Sequence, residues 1–378
     1  MLRWGMARVR IWLVAVVLVL AGCTGGGSSS SSSPSPTALS PTGSSPTPAP
    51  DVRVTAQDDV VTGLDVPWGI AFLPGGDAVV TLRDEKRLVL VSPAGAVTRV
   101  TGPGARRLLD VVHPAGEGGL LGVAVLGSDG GAVDLALYAT AADDNRVLRA
   151  TLTGSSLGDL RPVLTGIHKA RNHDGGRLAV GPDGFLYVTT GDANERPDAQ
   201  DPASLNGKIL RVTADGEPAP GNPTPGSPVW SLGHRNPQGL GWVPDGRMLA
   251  AEFGQDTWDE LNVIEPGADY GWPVVEGRAG RAGFVDPVAQ WATSDASPSG
   301  IAVTDDAVYL AALRGERLWR VPLTPDGVGT PRALLTDLGR LRAVAEAPDG
   351  SLWVLTNNTD GRGTPRPGDD RIVRITLG

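Results

Sequence analysis

From residue 52 onward, short apolar runs alternate with turns rich in Gly, Pro and Asp, and no long stretch has helical spacing. Short runs in which apolar and polar positions alternate, bounded by such turn residues, are typical of half-buried β-strands. The pattern therefore predicts an all-β domain over residues 52–378.

The strand pattern repeats six times. Each unit has an apolar strand, a turn such as Pro-Asp-Gly, a second strand, a polar tip and a third strand. Radial stacking of such sheets buries the apolar face that each would otherwise expose. About 330 residues in units of roughly 40–60 predict a six-bladed β-propeller of mostly four-stranded antiparallel blades. Residues 51–62 are expected to add a strand that closes the ring against the last blade. The units begin at Pro67, Gly118, Gly175, Asn236, Ser297 and Leu341.

The first 51 residues have a different composition. Residues 1–22 combine three arginines, an apolar run and a small-residue site before Cys23, which is the order of a secretory signal. Leu20-Ala21-Gly22-Cys23 also resembles the bacterial lipobox, so we expect lipidation of Cys23; a transmembrane anchor or a plain signal peptide are the alternatives. Residues 23–51 are rich in Gly, Ser, Pro and Thr, which predicts a disordered tether. The expected location is the outer face of the cell membrane, with the protein held by its lipid.

Composition excludes several classes of site. Cys23 is the single cysteine, so residues 52–378 have no disulfide and no thiolate metal site. The four histidines do not form the cluster that a zinc site needs. Removal of residues 1–22 lowers the 33 basic residues to 30 against 42 acidic ones. This acidic balance argues against nucleic acid as a partner.

The functional candidates are residues that depart from the repeat. His173 precedes a Gly-Gly pair on the loop that enters unit three, where an imidazole can act as a base. Arg235 and Asn236 enter unit four at the corresponding place. Arg340 and Arg342 enter unit six, and alternation puts both guanidinium groups on one face, suited to a polycarboxylate ligand. A surface-loop histidine and ordinary Arg–Asp pairs are the alternatives.

Two further segments interrupt the repeat. Residues 254–260 form an acidic loop that begins with glycine, and its backbone carbonyls and carboxylates are oxygen ligands of the kind that calcium takes. Tyr270 and Trp272 place two aromatic rings near the same rim, where they could face a flat cofactor or a sugar, or simply pack.

Taken together, the runs PWGIAFLP, GEGGLLGVAV, NHDGGRL, GPDGFLYVTTGD, LNGKILRV, GHRNPQGL, DELNVIEPGADYGWP and RLRAVAEAPDGSLWVLT resemble the glucose/sorbosone dehydrogenase family. The resemblance extends from about Pro67 to the C-terminus. It implies a six-bladed propeller that oxidises the anomeric hydroxyl of an aldose with pyrroloquinoline quinone (PQQ) and calcium. It also implies an external electron acceptor, which the sequence does not identify.

The resemblance assigns roles residue by residue. His173 falls on the general base and Arg235 on the arginine beside the reacting quinone carbonyl. The other cofactor positions are Asn236, Arg314, Arg340 and Arg342; the carbonyls of Gly254 and Gln255 fall on the calcium ligands; and the substrate positions are Glu117, Asn172, Tyr270 and Trp272.

Three positions depart from the glucose enzyme of the family: Asn172 replaces Asp, Arg314 replaces Lys, and Gln255 replaces Pro. These changes are compatible with the cofactor site, but they leave the identity of the substrate open. Loops shorter than those with which the glucose enzyme dimerises favour a monomer. A non-catalytic propeller that binds extracellular glycan or protein, and a calcium-dependent lactonase, are the competing functions.

Overall fold

The computed structural model describes residues 52–325 and 327–378, so the predicted signal, Cys23 and the tether lie outside the described residues. The described part forms six antiparallel sheets, which are the six blades of a β-propeller. The fold predicted from the repeats is confirmed. Within residues 52–325 and 327–378, no helix is both long enough and apolar enough to cross a membrane.

The strands are numbered in chain order. The described part begins with β1 (Val54–Val61), and blade one follows with β2 (Pro67–Phe72), β3 (Ala78–Leu82), β4 (Arg87–Val91) and β5 (Val97–Arg99). A helix, α1 (Gly102–Val111), precedes blade two, which contains β6 (Leu120–Asp129), β7 (Ala132–Thr140), β8 (Asn145–Thr153), β9 (Ser156–Leu157) and β10 (Arg161–Ile167). Blade three contains β11 (Leu178–Val180), β12 (Leu186–Thr190), a 3₁₀ helix (Arg196–Gln200), β13 (Lys208–Val212) and β14 (Val229–Leu232).

The second half of the ring follows the same plan. Blade four contains β15 (Pro237–Trp242), β16 (Met248–Glu252), β17 (Trp258–Ile264) and β18 (Ala289–Ala292). Blade five contains β19 (Pro298–Val303), β20 (Ala307–Ala312), β21 (Arg317–Thr324), β22 (Gly327–Val328) and β23 (Arg332–Leu335). Blade six contains β24 (Leu341–Glu346), β25 (Leu352–Thr356) and β26 (Ile372–Leu377).

The ring is closed by pairing of the first strand of the domain with its last strand. β1 pairs antiparallel with β26, with Ala56 opposite Thr376 and Asp58 opposite Arg374. Blade six therefore has the order β1-β26-β25-β24. The predicted closing strand is confirmed, and its register ties the start of the described chain to its last strand.

Glycines bring the inner strands of neighbouring blades into backbone contact. A Cβ on Gly69 of β2 would lie 2.7 Å from the carbonyl oxygen of Leu121, and one on Gly239 of β15 would lie 2.6 Å from that of Ser299. Real Cβ atoms do not approach oxygen so closely, so a side chain at either position would push the blades apart. These contacts keep the loops at the blade ends close around the channel.

Apolar side chains fill the spaces between blades. All five residues of β3, and likewise of β12, β13 and β16, are buried. Because these middle strands contact a neighbouring blade on each face, both of their faces are buried and most of their residues are apolar. Full burial of one such Val or Leu side chain is worth about 1.5–3 kcal/mol.

The two helical elements were not predicted. α1 begins with Gly102 at φ +95° and Pro103, and within it Gly104 and Leu108 are buried. A Cβ on Gly104 would meet the carbonyl oxygen of Gly158 at 2.0 Å, so the helix lies directly against blade two. The helix has only ten residues and begins with Gly-Pro-Gly, a run that indicates a turn, so the sequence pattern did not distinguish it from a loop.

Candidate active site

A cavity of about 500 Å³ lies at the end of the ring where the inner strands begin. In an antiparallel blade the start of the first strand and the end of the second lie at the same end, so loops of blades three to six, and the loop leading into blade two, converge there. The cavity contains the predicted residues from several distant parts of the sequence. Its lining residues are Glu117, Asn172, His173, Arg235, Asn236, Phe253, Gln255, Ser297, Leu313, Arg314, Arg340 and Arg362.

His173 is held by a buried carboxylate that sequence reasoning had not assigned a role. Its Nδ1 lies 2.7 Å from Oδ1 of Asp192, whose side chain is fully buried, whereas 13% of the imidazole is exposed. Asp192 follows β12 directly, at the acidic tip of the VTTGD run. The acidic tip was visible in the sequence, but its distance from the imidazole was not.

Asp192 stays ionised although it is buried. Burial raises the pKa of its carboxyl group, but hydrogen bonds from His173, the backbone of Asn194 and the indole of Trp272 outweigh burial and lower the pKa below the usual value. The indole Nε1 of Trp272 donates to Oδ2 at 2.8 Å, and the N–H of Asn194 donates to Oδ1 at 2.8 Å. An ionised carboxylate accepts hydrogen bonds only, so Nδ1 of His173 carries the hydrogen and Nε2 is left as the basic nitrogen.

The backbone at His173 has a left-handed conformation, with φ +63°. A non-glycine residue adopts this conformation only when its surroundings hold it there. Glu117 Oε2 accepts the His173 N–H at 3.0 Å, and the carbonyl of His173 accepts the N–H of Ala193 at 3.2 Å. A Cβ on Gly191 would lie 1.9 Å from that carbonyl oxygen, so glycine is required there.

Arg235 lies above the indole of Trp272, with its guanidinium carbon 5.3 Å from the ring centroid. Burial lowers the pKa of Arg235, although Asp192, Glu252 and Glu276 oppose that effect. Its Nε is buried and makes no hydrogen bond to the described residues. A buried N–H without an acceptor is costly, so this guanidinium is suited to a ligand that enters the cavity.

Arg340 and Arg342 share Asp360. Arg340 Nη2 lies 2.9 Å from Asp360 Oδ2, and Arg342 Nη2 lies 3.9 Å from the same oxygen. Arg340 lines the cavity and its Nε has no partner among the described residues. Arg342 lies deeper: it is buried, bonds Asn357 and Gln238, and burial lowers its pKa to about 9. The structure thus brings Arg340 to the cavity and Arg342 to the layer beneath it.

Arg314 and the two asparagines complete this wall. Arg314 is exposed in the cavity, and no hydrogen bond or ion pair joins it to any described residue. Asn172 also lines the cavity beside His173. Asn236 Oδ1 accepts the N–H of Gly175 at 3.0 Å, which fixes the Gly-Gly loop after His173.

Residues 254–258 wrap around one carboxylate. Oε1 of Glu276 accepts four successive backbone N–H groups, from Gln255 at 2.7 Å and from Asp256, Thr257 and Trp258 at 3.1 Å each. With its N–H groups turned toward Glu276, the loop has a fixed conformation beside the cavity, which Gln255 lines. Gly254 has no room for a side chain, because a Cβ would lie 1.7 Å from the carbonyl oxygen of Trp258.

Neither aromatic candidate lines the cavity, and the two have different environments. Trp272 is largely buried, and the guanidinium groups of Arg196 and Arg235 lie against its ring. Its indole N–H donates to Asp192. Tyr270 is not brought to the cavity: 4% of it is exposed, its ring stacks on His234 at 4.7 Å, and its hydroxyl donates to the carbonyl of Val263. Burial raises the pKa of Tyr270. The structure therefore gives Tyr270 a packing role.

The sequence profile of the glucose/sorbosone dehydrogenase family matches residues 64–369. The chain belongs to this family. It is 32% identical over 339 residues to aldose sugar dehydrogenase YliI of Escherichia coli strain K12, a match that covers 79% of this chain and 89% of that protein.

Solved structures give the same relationship. The PQQ-bound form of the aldose sugar dehydrogenase from Streptomyces coelicolor superposes with a TM-score of 0.80 and 50% identity, over 86% of this chain and 98% of that one. Quinoprotein glucose dehydrogenase B of Acinetobacter calcoaceticus is 35% identical over a shorter stretch of 144 residues. The resemblance stated from the motifs is confirmed, and the chain is an oxidoreductase of a sugar dehydrogenase family.

The cavity fits the tricarboxylate that the family implies. Arg235, Arg314 and Arg340 line it, with Glu117 as the one acidic side chain on its wall. The Nε atoms of Arg235 and Arg340 have no hydrogen-bond acceptor among the described residues. Guanidinium groups bind carboxylates in a bidentate manner, so the cofactor could supply these acceptors. Within residues 52–325 and 327–378, no group of three or more His, Cys, Asp or Glu side chains could hold a metal. A calcium ion at this cavity would therefore depend on backbone carbonyls such as those of Gly254 and Gln255, together with oxygens of the cofactor.

Proposed function

We propose that this protein oxidises the anomeric hydroxyl of an aldose to a lactone, with PQQ and calcium as cofactors. The observation that carries the proposal is the convergence on one cavity of a His–carboxylate pair and of arginines whose buried Nε atoms have no hydrogen-bond partner. A lactonase or a non-catalytic propeller would not need a buried carboxylate to orient a histidine beside such a cluster. Membership of the glucose/sorbosone dehydrogenase family also favours a dehydrogenase.

His173 takes the proton in this proposal. Because Nδ1 donates to Asp192, Nε2 is the atom that accepts the proton of the anomeric hydroxyl. The ionised Asp192 then stabilises the imidazolium that forms, without itself taking the proton. PQQ, when bound, supplies the quinone that accepts the hydride.

The arginines bind and orient. Arg314 and Arg340 would hold carboxylates of the cofactor, and Arg342 would add positive charge from the layer beneath. Arg235 would neutralise negative charge that develops in the cavity, and Trp272 keeps its guanidinium in place. The carbonyls of Gly254 and Gln255 would hold the calcium ion, with Glu276 fixing the loop that carries them.

The test is reconstitution of the purified apoprotein with PQQ and calcium. Turnover is then measured over a panel of aldoses with a dye as electron acceptor, and the lactone is detected as product. We expect turnover that requires both additions and that falls at least 100-fold in His173→Gln. Reconstituted protein that carries PQQ but oxidises no aldose would refute the reaction, and full activity of His173→Gln would refute the role of the histidine.

We also propose that the protein is exported and anchored by a lipid on Cys23, with the propeller at the outer face of the membrane. Support comes from the order of charge, apolar run and small residues in residues 1–23. Labelled palmitate should enter the wild type and not Cys23→Ala; equal labelling would refute the anchor. The electrons would pass to an external acceptor, and we expect a monomer.

A further inference from the structure

One ion pair on the cavity wall joins Glu117 to Arg362, an arginine that the proposed reaction does not use. Arg362 Nη1 lies 2.8 Å from Oε1 of Glu117. Glu117 precedes blade two, whereas Arg362 lies in the loop between β25 and β26, so the pair joins blades that are distant in sequence. Both side chains line the cavity that contains His173. The side chain of Arg362 is 51% exposed and that of Glu117 is 20% exposed, so a ligand can reach them.

Glu117 contacts two functional groups at once. While Oε1 binds Arg362, Oε2 accepts the N–H of His173 at 3.0 Å. That N–H belongs to the residue with the left-handed backbone, so the carboxylate helps to hold the base in its conformation. Any change in the position or charge of Glu117 is therefore transmitted to His173.

Arg362 helps to lower the pKa of this carboxyl group. Burial raises the pKa of Glu117, but the His173 N–H and the charge and hydrogen bond of Arg362 together lower it below its usual value. Without Arg362, burial would act against fewer opposing interactions, and the pKa of Glu117 would rise. A protonated Glu117 would lose the ion pair and weaken the hydrogen bond to His173.

The position of Arg362 is itself fixed. Its backbone N–H donates to Asp360 Oδ1 at 2.9 Å, and the other oxygen of Asp360 binds Arg340. The two oxygens of Asp360 thus bind different arginines: one accepts the backbone N–H of Arg362 and the other binds the side chain of Arg340. The Nε and Nη2 groups of Arg362 have no acceptor among the described residues.

We propose that Arg362 is a substrate-positioning residue that acts with Glu117 as one unit. This inference rests on the proposed function and deepens it. The unit carries no net charge and offers both acceptor oxygens and free N–H donors. Adjacent hydroxyl groups of a sugar ring donate and accept hydrogen bonds at once, so the unit matches a neutral aldose better than an acidic sugar. Arg314 and Arg340 would bind the cofactor rather than the sugar.

The test compares Arg362→Gln with Glu117→Gln, the double variant, and Arg366→Gln as a matched control. Arg366 lies in the same loop, and its side chain bonds the carbonyl of Asp337 away from the cavity. PQQ affinity is measured by absorbance titration. The values of kcat and KM are measured with a neutral aldose, and kcat/KM is then measured as a function of pH.

We expect KM in Arg362→Gln to rise about 10-fold or more, since a hydrogen bond to a charged group is lost. PQQ affinity should stay within about threefold of the wild type, whereas Arg314→Gln should weaken it. The acid limb of kcat/KM should move to higher pH in Arg362→Gln, because Glu117 then takes up a proton more readily. The double variant, which has no carboxylate to titrate, should lack this shift, and Arg366→Gln should match the wild type.

The outcomes separate this inference from the proposed function. Wild-type protein that oxidises aldoses, with an unchanged KM and pH profile in Arg362→Gln, would refute the inference alone. Loss of PQQ affinity in Arg362→Gln parallel to the rise in KM would refute it as well, because Arg362 would then be a cofactor ligand. Wild-type protein that binds no PQQ would refute the proposed function and this inference with it.

Discussion

Asp192→Asn is the substitution that most directly changes the proposed base. The carboxylate accepts hydrogen bonds from Nδ1 of His173 at 2.7 Å and from the N–H groups of Asn194 and Trp272 at 2.8 Å each. An amide of the same shape has one oxygen and one NH₂ group, so it cannot accept all three. Two orientations are available, and they differ in their effect on the imidazole.

With the amide oxygen toward His173, the tautomer is kept but the negative charge is lost. A hydrogen bond to a charged group is worth about 1.5–3 kcal/mol, which corresponds to a fall of about 10–150-fold in kcat/KM. With the NH₂ group toward His173, Nδ1 must become the acceptor and Nε2 carries the hydrogen. The base is then in the wrong tautomer, and the loss rises to the order of 10⁴-fold.

Stability should fall less than activity. In the first orientation the NH₂ group faces the indole N–H of Trp272, leaving a buried donor without an acceptor. That costs about 1–3 kcal/mol of unfolding free energy. Denaturant unfolding of the apoprotein measures this cost, and absorbance titration confirms that PQQ still binds, so that a fall in kcat/KM can be assigned to the chemical step.

The chain provides a matched control. His168 Nδ1 lies 3.1 Å from Asp198 Oδ2, a second His–Asp pair, but 67% of that imidazole is exposed and neither residue lines the cavity. Asp198→Asn should leave kcat/KM within about twofold of the wild type. Equal activities of Asp192→Asn and the wild type, with PQQ bound in both, would refute the assignment of His173 as an oriented base.

Three further substitutions test other parts of the site. Trp272→Phe removes the indole donor to Asp192 and should lower kcat about 3–10-fold without changing the fold; an unchanged kcat would show that this hydrogen bond is dispensable. Gly254→Ala places a Cβ 1.7 Å from the carbonyl oxygen of Trp258, so the loop must shift and the calcium concentration needed for half-activation should rise about 10-fold; an unchanged requirement would exclude this loop from metal binding. Burial raises the pKa of Asp174 to about 6, so its contribution to stability falls as the pH rises from about 4 to 6. Asp174→Asn should therefore gain about 1–3 kcal/mol relative to the wild type between pH 4 and pH 7.5 in denaturant unfolding; a constant difference would contradict the raised pKa.

The blade number could be predicted because each blade repeats one pattern. The same strand-turn-strand signal recurs at Pro67, Gly118, Gly175, Asn236, Ser297 and Leu341, and each precedes or begins an inner strand of the structure. Strand closure was also predictable, since residues 54–61 lie outside the six repeats and need an edge to pair with. The helix α1 was missed because it is short and its sequence, GPGARRLLDV, begins with Gly-Pro-Gly, which indicates a turn rather than a helix.

Partners of the site residues could not be predicted in the same way. Asp360 and Arg362 lie in a loop of Gly, Pro, Asp and Arg between β25 and β26, where composition indicates a turn but not a direction. The contact of Arg362 with Glu117 depends on ring closure, which brings together residues 245 positions apart in sequence. The contact of Asp360 with Arg340 lies within blade six and depends on the conformation of this loop. The direction of the Tyr270 side chain could not be predicted either. An aromatic residue near a rim can face the cavity or the core, and here the ring packs on His234.

If the cavity arginines bind a flat tricarboxylate, the full-length apoprotein must bind PQQ at equilibrium. We expect saturable binding of one PQQ per chain in the presence of calcium, weakened about 10–100-fold in Arg340→Gln by loss of a charge-assisted hydrogen bond. Absence of binding to the folded wild type, or equal affinity of the wild type and Arg340→Gln, would contradict it.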